Sequence, residues 1–371
     1  MPKVLFNMAS QFADKPSGVA RTTFQLLESL IGKSEFDYSL RSPWTRDQLP
    51  HLLQEKPLEV LTVPRPNVLL VDVLRQALTF GDYCRRNGVD LVVNADPFGA
   101  ASGGRARLTI VHDLYFRAIP GELGLRAFLT NDLIFRIMLL GTTEIVTVSN
   151  ATKADLERWY PQAKGRTTTV HSASLLHASA DAGKPPEIEG PYILAVGNGT
   201  KNKNFKVLAE AMAKIHQSFP RVALVYVGSD ESEVIAETLK ALGSSLKLIR
   251  LSGIEDERLA GLYGHAICLC VPSLYEGFCL PVLEAQALGC PVLCSNRSAT
   301  PEIAGKGALL FDPTDPAELA SCLERIMSDS LLSAELVQAG YRNVSQFSWD
   351  IAARQYETVF RRLLQISDRA N

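Results

Sequence analysis

The segment AICLCVPSLYEGFCLPVLEAQALGCPVLCS, residues 266–295, contains the pattern that decides the fold of this 371-residue chain. Its apolar run at 266–272 leads through a polar loop to a helical pattern at 281–288, and a second apolar run follows at 291–295. An apolar strand, a helix and a further apolar strand in succession are typical of a parallel sheet covered on both faces. The segment therefore predicts one unit of a doubly wound α/β sheet.

The same alternation extends over most of the chain in two series. Further strands are predicted at 4–8, 58–63, 90–94, 108–113, 144–149, 167–170, 192–196, 223–228, 246–252 and 308–311. Helical patterns separate most of them, so each series predicts its own parallel sheet. Between the two series lies ASADAGKPPEIEGP, residues 178–191, which is rich in Ala, Gly, Pro and acidic residues and shows no apolar periodicity.

This break predicts two Rossmann-like domains that face each other across a cleft. The N-terminal domain covers 1–177, the linker 178–191 and the C-terminal domain 192–345. The last segment, 346–371, contains an amphipathic helical pattern that could pack on either domain, including back onto the first.

The composition excludes several classes of protein. The formal net charge is −2, with 46% hydrophobic and 21% charged residues, so no general attraction to nucleic acid is expected. No apolar run reaches the length of a membrane span, and the N-terminus has the pattern of a core strand, so a cytoplasmic location is expected. The seven cysteines form no C-x-x-C pair and are interpreted as buried thiols, with no metal site.

Ligands of open α/β sheets bind beyond the carboxyl ends of the strands, so the loops there are the candidates for functional residues. Glu276 follows a predicted strand, and Glu284 is expected in the first turn of the next helix. Backbone N–H groups of Gly277, Phe278, Cys279 and Leu280 would stand at the positive helix end, which suits a diphosphate. The carboxylates would suit sugar hydroxyls; alternatively, they only stabilise the helix start.

A second loop, VGNGTKNKNF at 196–205, follows another predicted strand. Its glycines permit close backbone approach, its lysines supply positive charge, and Asn204 is a candidate N-cap. From the residues alone, a solvated basic turn is an equally good interpretation. The candidate donor-binding residues here are Gly197, Asn198, Lys201 and Lys203.

Two further positions lie in the N-terminal half. His112 ends the predicted strand 108–113, and Gly18 precedes the first helix; either residue could be purely structural. Ser149 or Asn150 is expected to cap the helix that follows.

The string around Glu276 and Glu284 closely resembles the E-x7-E signature of glycosyltransferase family 4, which comprises retaining enzymes of the GT-B fold. The resemblance covers most of 192–345 and is weaker in the first half. It implies that Glu276 holds the transferred sugar and Glu284 the nucleotide ribose. It also implies that Lys203 binds the donor diphosphate.

The resemblance further implies that His112 contacts the reacting sugar and that Gly18 lets the first helix face the donor phosphate. Two positions depart from the pattern: Cys279 replaces the usual Gly, and Asn202 stands where Arg is common.

These observations predict a retaining hexosyltransferase. The first expectation for the donor is GDP-mannose, with an oligosaccharide or lipid-linked acceptor in bacterial polysaccharide assembly. A UDP-hexose donor, another GT-B enzyme such as a nucleotide-sugar epimerase, and a non-catalytic binding subunit are the alternatives. No D-x-D motif occurs, so metal-independent catalysis without a further cofactor is expected. Segment 117–140 could touch the inner face of a membrane or form a buried crossover helix.

Overall fold

A computed structural model of the protein describes residues 1–9, 11, 16–32, 35–64, 69–119, 121–176, 188–229 and 233–365. The chain divides into two compact units, one formed by Met1–Ser172 with Trp349–Asn371 and the other by Ala173–Ser348. Most of the predicted linker, residues 178–187 of 178–191, lies outside the described residues.

The first unit contains a seven-stranded parallel sheet. Its strands are β1 (Lys3–Asn7), β2 (Asp37–Ser42), β3 (Glu59–Thr62), β4 (Val89–Asn94), β5 (Ala106–Val111), β6 (Glu144–Thr147) and β7 (Thr167–Thr169). They are arranged in the order β3-β2-β1-β4-β5-β6-β7, with Val4 opposite Tyr38 on one side and Leu91 on the other. The strand order therefore reverses between β1 and β4.

Helices cover the sheet of the first unit. They are α1 (Gly18–Leu30), α2 (His51–Gln54), α3 (Leu69–Arg86), α4 (Tyr115–Ala118), α5 (Leu125–Gly141) and α6 (Asn150–Trp159). The Ser17 hydroxyl accepts from Ala20 N at 3.2 Å and caps α1, whose apolar face then buries Phe24 and Leu27. Ser149 caps α6 in the same way, as one of the two predicted candidates.

Strand β2 has no counterpart among the predicted strands. Its sequence, DYSLRS, is too polar to show the apolar run of a central strand, yet five of its six residues are buried. The Arg41 guanidinium donates to the side-chain oxygens of Asn7 and Gln76, both at 3.0 Å. A hydrogen-bonded buried side chain avoids much of the desolvation penalty, so a polar strand can occupy the interior of the sheet.

The second unit contains a six-stranded parallel sheet in the order β10-β9-β8-β11-β12-β13. Its strands are β8 (Tyr192–Val196), β9 (Ala223–Val227), β10 (Leu248–Leu251), β11 (Cys268–Val271), β12 (Val292–Ser295) and β13 (Leu309–Phe311). Its helices are α7 (Phe205–Ile215), α8 (Val234–Ala241), α9 (Asp256–His265), α10 (Leu280–Ala287), α11 (Thr300–Ala304), α12 (Pro316–Ser328) and α13 (Ser330–Val344). The order reverses between β8 and β11. Each predicted strand, in both units, lies within two residues of an observed one.

The last helix, α14 (Trp349–Leu364), belongs to the first unit. Its Phe360 ring lies 6.4 Å from the Phe6 ring and 5.7 Å from the Phe36 ring, both edge-on. Arg362 donates to the Glu144 carboxylate at 2.6 Å. The chain thus returns to its first sheet after completing the second.

All seven cysteines are free and buried. Burial raises the pKa of Cys84 to about 11 and that of Cys290 to about 12, so both stay protonated thiols at neutral pH. None of the described helices combines the length and apolar content that crossing a bilayer requires.

Candidate active site

An ion pair lies at the switch point of the second sheet. Lys203 follows β8 and Glu276 follows β11, 73 positions apart, and Lys203 Nζ lies 2.7 Å from Glu276 Oε1. The two side chains are only 17% and 10% exposed. Because solvent screens such a pair weakly, each charge strongly stabilises the other.

The backbone after β8 is positioned by two close contacts. Gly197 has φ +150°, and a Cβ there would approach Lys203 Cε at 3.3 Å. At Gly228, also at φ +150°, a Cβ would lie 1.7 Å from the Gly197 carbonyl oxygen, so no other residue fits. The Tyr226 hydroxyl donates to that same carbonyl at 2.7 Å. Gly228 and Tyr226 are not among the predicted site residues, although a glycine at the end of the predicted strand 223–228 was a visible signal.

Residues Lys201–Lys203 form one 3-10 turn that is tied to the Glu276 loop. Leu274 N donates to Asn202 O at 2.7 Å, and Asn202 Nδ2 donates to Tyr275 O at 3.1 Å. Asn202, at the position where Arg is common in the resembling family, therefore holds the two loops together. Lys201 is exposed.

The expected capping by Asn204 is wrong. Asn204 occupies the N-cap position of α7, but it is left-handed at φ +53° and its side chain makes no capping bond. The amide instead donates to Pro272 O at 3.1 Å and to Pro313 O at 2.7 Å. The Asn204 side chain, which the local sequence predicted as a helix cap, thus donates to two carbonyl groups from distant parts of the chain.

Glu276 is fixed from two sides. Ser273 Oγ donates to Oε1 at 2.6 Å, the same oxygen that pairs with Lys203. Ser298 Oγ donates to the Glu276 carbonyl at 2.7 Å and accepts from the Glu276 N–H at 3.3 Å. Among the described residues, no donor bonds Oε2, and the residue is 9% exposed. One carboxylate oxygen is thus held by protein donors, and the other remains an acceptor for a ligand.

Glu284 lies on α10 and is buried. The helix begins at Leu280, so Glu284 is its fifth residue, and the expectation of a first-turn position is wrong. Glu284 therefore lies too far along α10 to bind the unpaired N–H groups at its start. The Tyr263 hydroxyl donates to Glu284 Oε2 at 3.0 Å, and burial together with that carboxylate raises the pKa of Tyr263.

Cys279 is strained. It precedes α10 with φ +82° and ψ +64°, in the left-handed region that costs a non-glycine residue about 1–2 kcal/mol. Burial raises the pKa of its thiol, so the side chain is a neutral, packed group. The loop Gly277–Leu280 thus has, at position 279, a left-handed backbone that glycine adopts without strain, although the residue there is cysteine.

His112 and Gly18 belong to the first unit. His112 Nε2 lies 2.9 Å from the Ala95 carbonyl, which can only accept, so Nε2 carries the proton. Burial lowers the pKa of His112, so the imidazole is neutral at pH 7 and Nδ1 is an acceptor. Gly18 is the first residue of α1, and a Cβ there would meet nothing within 4 Å, so packing does not require glycine.

The structure thus brings together Gly197, Lys203 and Glu276, and it places the loop Gly277–Leu280 and Glu284 directly after them. Asn198 is exposed, and its side-chain oxygen accepts from Thr200. Within the described part of the chain, no three His, Cys, Asp or Glu residues are grouped as metal ligands.

The two parallel sheets, each with its own switch point, define the fold class as that of the GT-B glycosyltransferases. Residues 181–343 match the family model of the glycosyl transferases group 1. The expected fold class is confirmed, and so is the resemblance to mannosyltransferase-like glycosyltransferases.

Two proteins of similar sequence are mannosyltransferases. O-antigen chain mannosyltransferase B of Escherichia coli is 29% identical over 224 residues, which cover 57% of this chain and 58% of that protein. The MMP alpha-(1->4)-mannosyltransferase of Mycolicibacterium hassiacum is 39% identical over 117 residues, or 30% of this chain and 28% of that protein. The chain thus spans less than two thirds of either relative.

Among solved structures, sucrose-phosphate synthase from Thermosynechococcus elongatus has a TM-score of 0.79 at 22% identity. The match covers 99% of this chain and all of that one. At this identity, the similarity shows the fold.

The strain at Cys279 predicts an order of stability. Cys279→Gly should be more stable than Cys279→Ala by about 1 kcal/mol, because both variants lose the thiol but only glycine relieves the left-handed backbone. Calorimetry should show this as a Tm difference of roughly 2–4 °C. Cys290, which is buried without a positive φ, is the control, and there Gly should be less stable than Ala. The same order at both positions would contradict the strain.

The ion pair predicts energetic coupling. Lys203→Met and Glu276→Gln should each destabilise the second unit, and the double variant should lose about 1–3 kcal/mol less than the sum. Urea unfolding followed by circular dichroism measures these free energies of unfolding. Tryptophan fluorescence would not report on the second unit, because Trp44, Trp159 and Trp349 all lie in the first. Additive losses would show that the 2.7 Å contact contributes nothing.

Proposed function

We propose that the protein is a retaining glycosyltransferase that transfers a hexose from a nucleoside diphosphate sugar to an acceptor hydroxyl. The observation that carries this proposal is the Lys203–Glu276 pair at the switch point of the second sheet, with Glu276 Oε2 left as an acceptor. The match of 181–343 to the glycosyl transferases group 1 supports the reaction class.

The charges of Lys203 and Glu276 support a donor site beside them. A diphosphate would be repelled by an isolated carboxylate, but Lys203 offsets the charge of Glu276. Lys203 Nζ and the N–H groups that begin α10 would bind the diphosphate. Glu276 Oε2 would accept from a hydroxyl of the transferred sugar, and Glu284 would bind the ribose, as the family resemblance implies.

The proposed reaction breaks the bond between the anomeric carbon and the diphosphate oxygen and forms a bond from that carbon to the acceptor oxygen. The acceptor proton passes to the departing diphosphate, on the same face of the sugar. Lys203 and the helix-start N–H groups would stabilise the developing negative charge without rearranging. The neutral His112 would contact the sugar through Nδ1 and not as a cation.

We favour mannose from GDP-mannose as the transferred group, and this rests on the mannosyltransferase relatives. The favoured acceptor is an oligosaccharide or a lipid-linked saccharide on the cytoplasmic side of a membrane. A UDP-hexose donor is the alternative. A nucleotide-sugar epimerase or a non-catalytic binding protein would bind the same ligands but form no acceptor-dependent product.

Helix α5 supports contact with a membrane surface. Its inner face buries Ile134, Phe135, Met138 and Leu139, while Leu125, Leu129, Leu133 and Leu140 are exposed, Leu140 at 80%. The exposed Arg126 lies on the same outer face, and so does Arg136, which also pairs with Asp132 at 2.9 Å. A row of leucines with arginines suits the interface of a bilayer that contains anionic lipids.

Measurements of ligand binding and of turnover should distinguish the role of Glu276 from that of Glu284. A nucleoside diphosphate at a hundredfold excess over its Kd should stabilise the wild type by ~2.7 kcal/mol, and a panel of GDP, UDP, ADP and their sugars should identify the base. Glu276→Gln should keep this stabilisation but lose transfer by roughly a hundredfold, because only the sugar is misplaced. Glu284→Gln should weaken nucleotide binding roughly tenfold or more.

Glu257→Gln, an exposed acid on α9, is the matched control and should change neither measurement. Full turnover of Glu276→Gln on an acceptor, or no stabilisation by any nucleotide of the panel, would defeat the proposal. Stabilisation without any acceptor-dependent product would favour the binding-protein alternative.

The membrane proposal predicts vesicle binding that depends on two leucines. Replacing Leu129 and Leu133 by Gln should reduce cosedimentation with vesicles containing anionic lipid roughly tenfold, because buried apolar area is lost. Leu331→Gln changes a leucine on α13 of the second unit that is even more exposed, and this variant should bind as the wild type does. Equal losses in both variants would show that α5 is not the contact.

A further inference from the structure

A buried tyrosine hydroxyl contacts one of the two candidate site carboxylates. The Tyr263 hydroxyl, on α9, donates to Glu284 Oε2, on α10, at 3.0 Å. Tyr263 is 0% exposed and Glu284 is 6% exposed, so water competes only weakly for this hydrogen bond. The bond therefore links two helices of the second unit at the residue that the family resemblance assigns to the ribose.

Tyr263 is the less flexible of the two partners. Residues 260–263 of α9 are all buried, so the tyrosine ring lies in the packed interior of the second unit. A tyrosine has only two side-chain torsions, and close packing of the ring restricts both of them. Glu284 has three side-chain torsions and loses more rotamer freedom when its carboxylate is held. The tyrosine therefore orients the glutamate, and not the reverse.

The acceptor of this hydrogen bond differs from the acceptors of two other buried tyrosines in the second unit. The Tyr192 hydroxyl donates to Leu262 O at 2.7 Å, and the Tyr226 hydroxyl donates to Gly197 O at 2.7 Å. A backbone carbonyl therefore satisfies a buried tyrosine hydroxyl, and stability does not require a carboxylate there. Because burying a carboxylate costs free energy, the glutamate at position 284 indicates a role in binding a ligand.

The hydrogen bond leaves Glu284 able to accept from a ligand. Burial and the neighbouring carboxylate raise the pKa of Tyr263, so its hydroxyl keeps its proton and remains a donor. An ionised carboxylate has about four acceptor positions, and the tyrosine occupies one of them. Because the tyrosine is neutral, it orients the carboxylate without cancelling its charge. Hydroxyl groups that donate to a charged acceptor form stronger hydrogen bonds than those that donate to a neutral one.

We propose that Tyr263 is a positioning residue that orients the Glu284 carboxylate toward the ribose hydroxyls of the donor. It thereby determines the preference of the protein for a ribonucleotide over a nucleotide that lacks these hydroxyls. Tyr263 is fully buried, so it acts through Glu284 and not by contact with the nucleotide. The inference rests on the proposed function, in which Glu284 binds the ribose, and deepens it by naming the residue that sets this specificity.

The test compares nucleotides that differ only in the ribose. GDP, UDP and the 2′,3′-dideoxy form of each are titrated into the full chain by isothermal calorimetry. The wild type should bind the ribonucleotide of its preferred base roughly tenfold to a hundredfold more tightly than the dideoxy form, because hydrogen bonds to a carboxylate are lost. Tyr263→Phe should reduce this preference by roughly fivefold or more and leave the affinity for the dideoxy form nearly unchanged, because only Glu284 is misplaced.

Tyr192→Phe is the matched control. It also removes a buried tyrosine hydroxyl from the second unit, together with the hydrogen bond to Leu262 O. It should lower the Tm by an amount similar to that of Tyr263→Phe but leave the preference for ribose unchanged. Steady-state kinetics gives a second measurement. Tyr263→Phe should raise the KM for the donor more than it lowers kcat, because the lost contact is with the ribose and not with the reacting sugar.

A double variant tests whether Tyr263 acts through Glu284. Tyr263→Phe combined with Glu284→Gln should bind the ribonucleotide as Glu284→Gln alone does, because the residue that Tyr263 orients is already changed. Glu284→Asp draws the carboxylate back from the intact Tyr263 hydroxyl, so it should also reduce the preference for ribose even if Tyr263→Phe does not fold. A preference that survives Tyr263→Phe or Glu284→Asp, an equal reduction in Tyr192→Phe, or additive losses in the double variant overturns the inference.

Failure of the proposed function has a different signature. It would appear as a wild type that binds neither ribonucleotide or that forms no acceptor-dependent product. A wild type that binds nucleotide and transfers sugar, but whose preference for ribose is the same in Tyr263→Phe, counts against the role of Tyr263 alone.

Discussion

The second unit depends on one electrostatic constraint: a carboxylate as deeply buried as Glu276 needs a partner that offsets its charge. The Lys203–Glu276 contact at 2.7 Å meets this constraint, and the surrounding backbone is arranged to preserve it. Gly228 lets two strand ends approach so closely that no side chain fits, which positions Gly197 against the Lys203 stem. Ser273 then donates to the same Glu276 oxygen that pairs with Lys203.

Backbone strain is concentrated around this pair. Of the five non-glycine residues with positive φ among those described, Asn204, Cys279 and Ser298 all lie in the loops that hold Lys203 and Glu276. Each such conformation costs free energy and persists only where surrounding contacts enforce it. Asn204 is held by two carbonyls, and Ser298 by both backbone groups of Glu276. These strained conformations lower the stability of the unit, and they fix the geometry of the loops around Lys203 and Glu276.

The two units share a topology but differ in the charge at their switch points. At the second switch point, the Lys203–Glu276 pair precedes the start of α10, whose N–H groups carry partial positive charge. In the first, Asp96, Asp113 and a neutral histidine offer acceptors beside phenylalanines. Because the loops and not the strands carry these groups, the two switch points differ in chemistry although the sheets share one architecture.

The sequence alone determined the alternation of strands and helices, the boundary between the two series, and the segment that contains Glu276 and Glu284. These features follow from local apolar periodicity and from turn residues, which short stretches of chain encode. Strand β2 was not predictable from local apolar periodicity, because its buried Arg41 bonds Asn7 of β1 and Gln76 of α3, which no local pattern shows. Only the tertiary structure decided the pairing of Lys203 with Glu276, the need for Gly228 and the return of α14 to the first sheet. Each of these joins residues far apart in the chain, so packing and charge in the folded state select them.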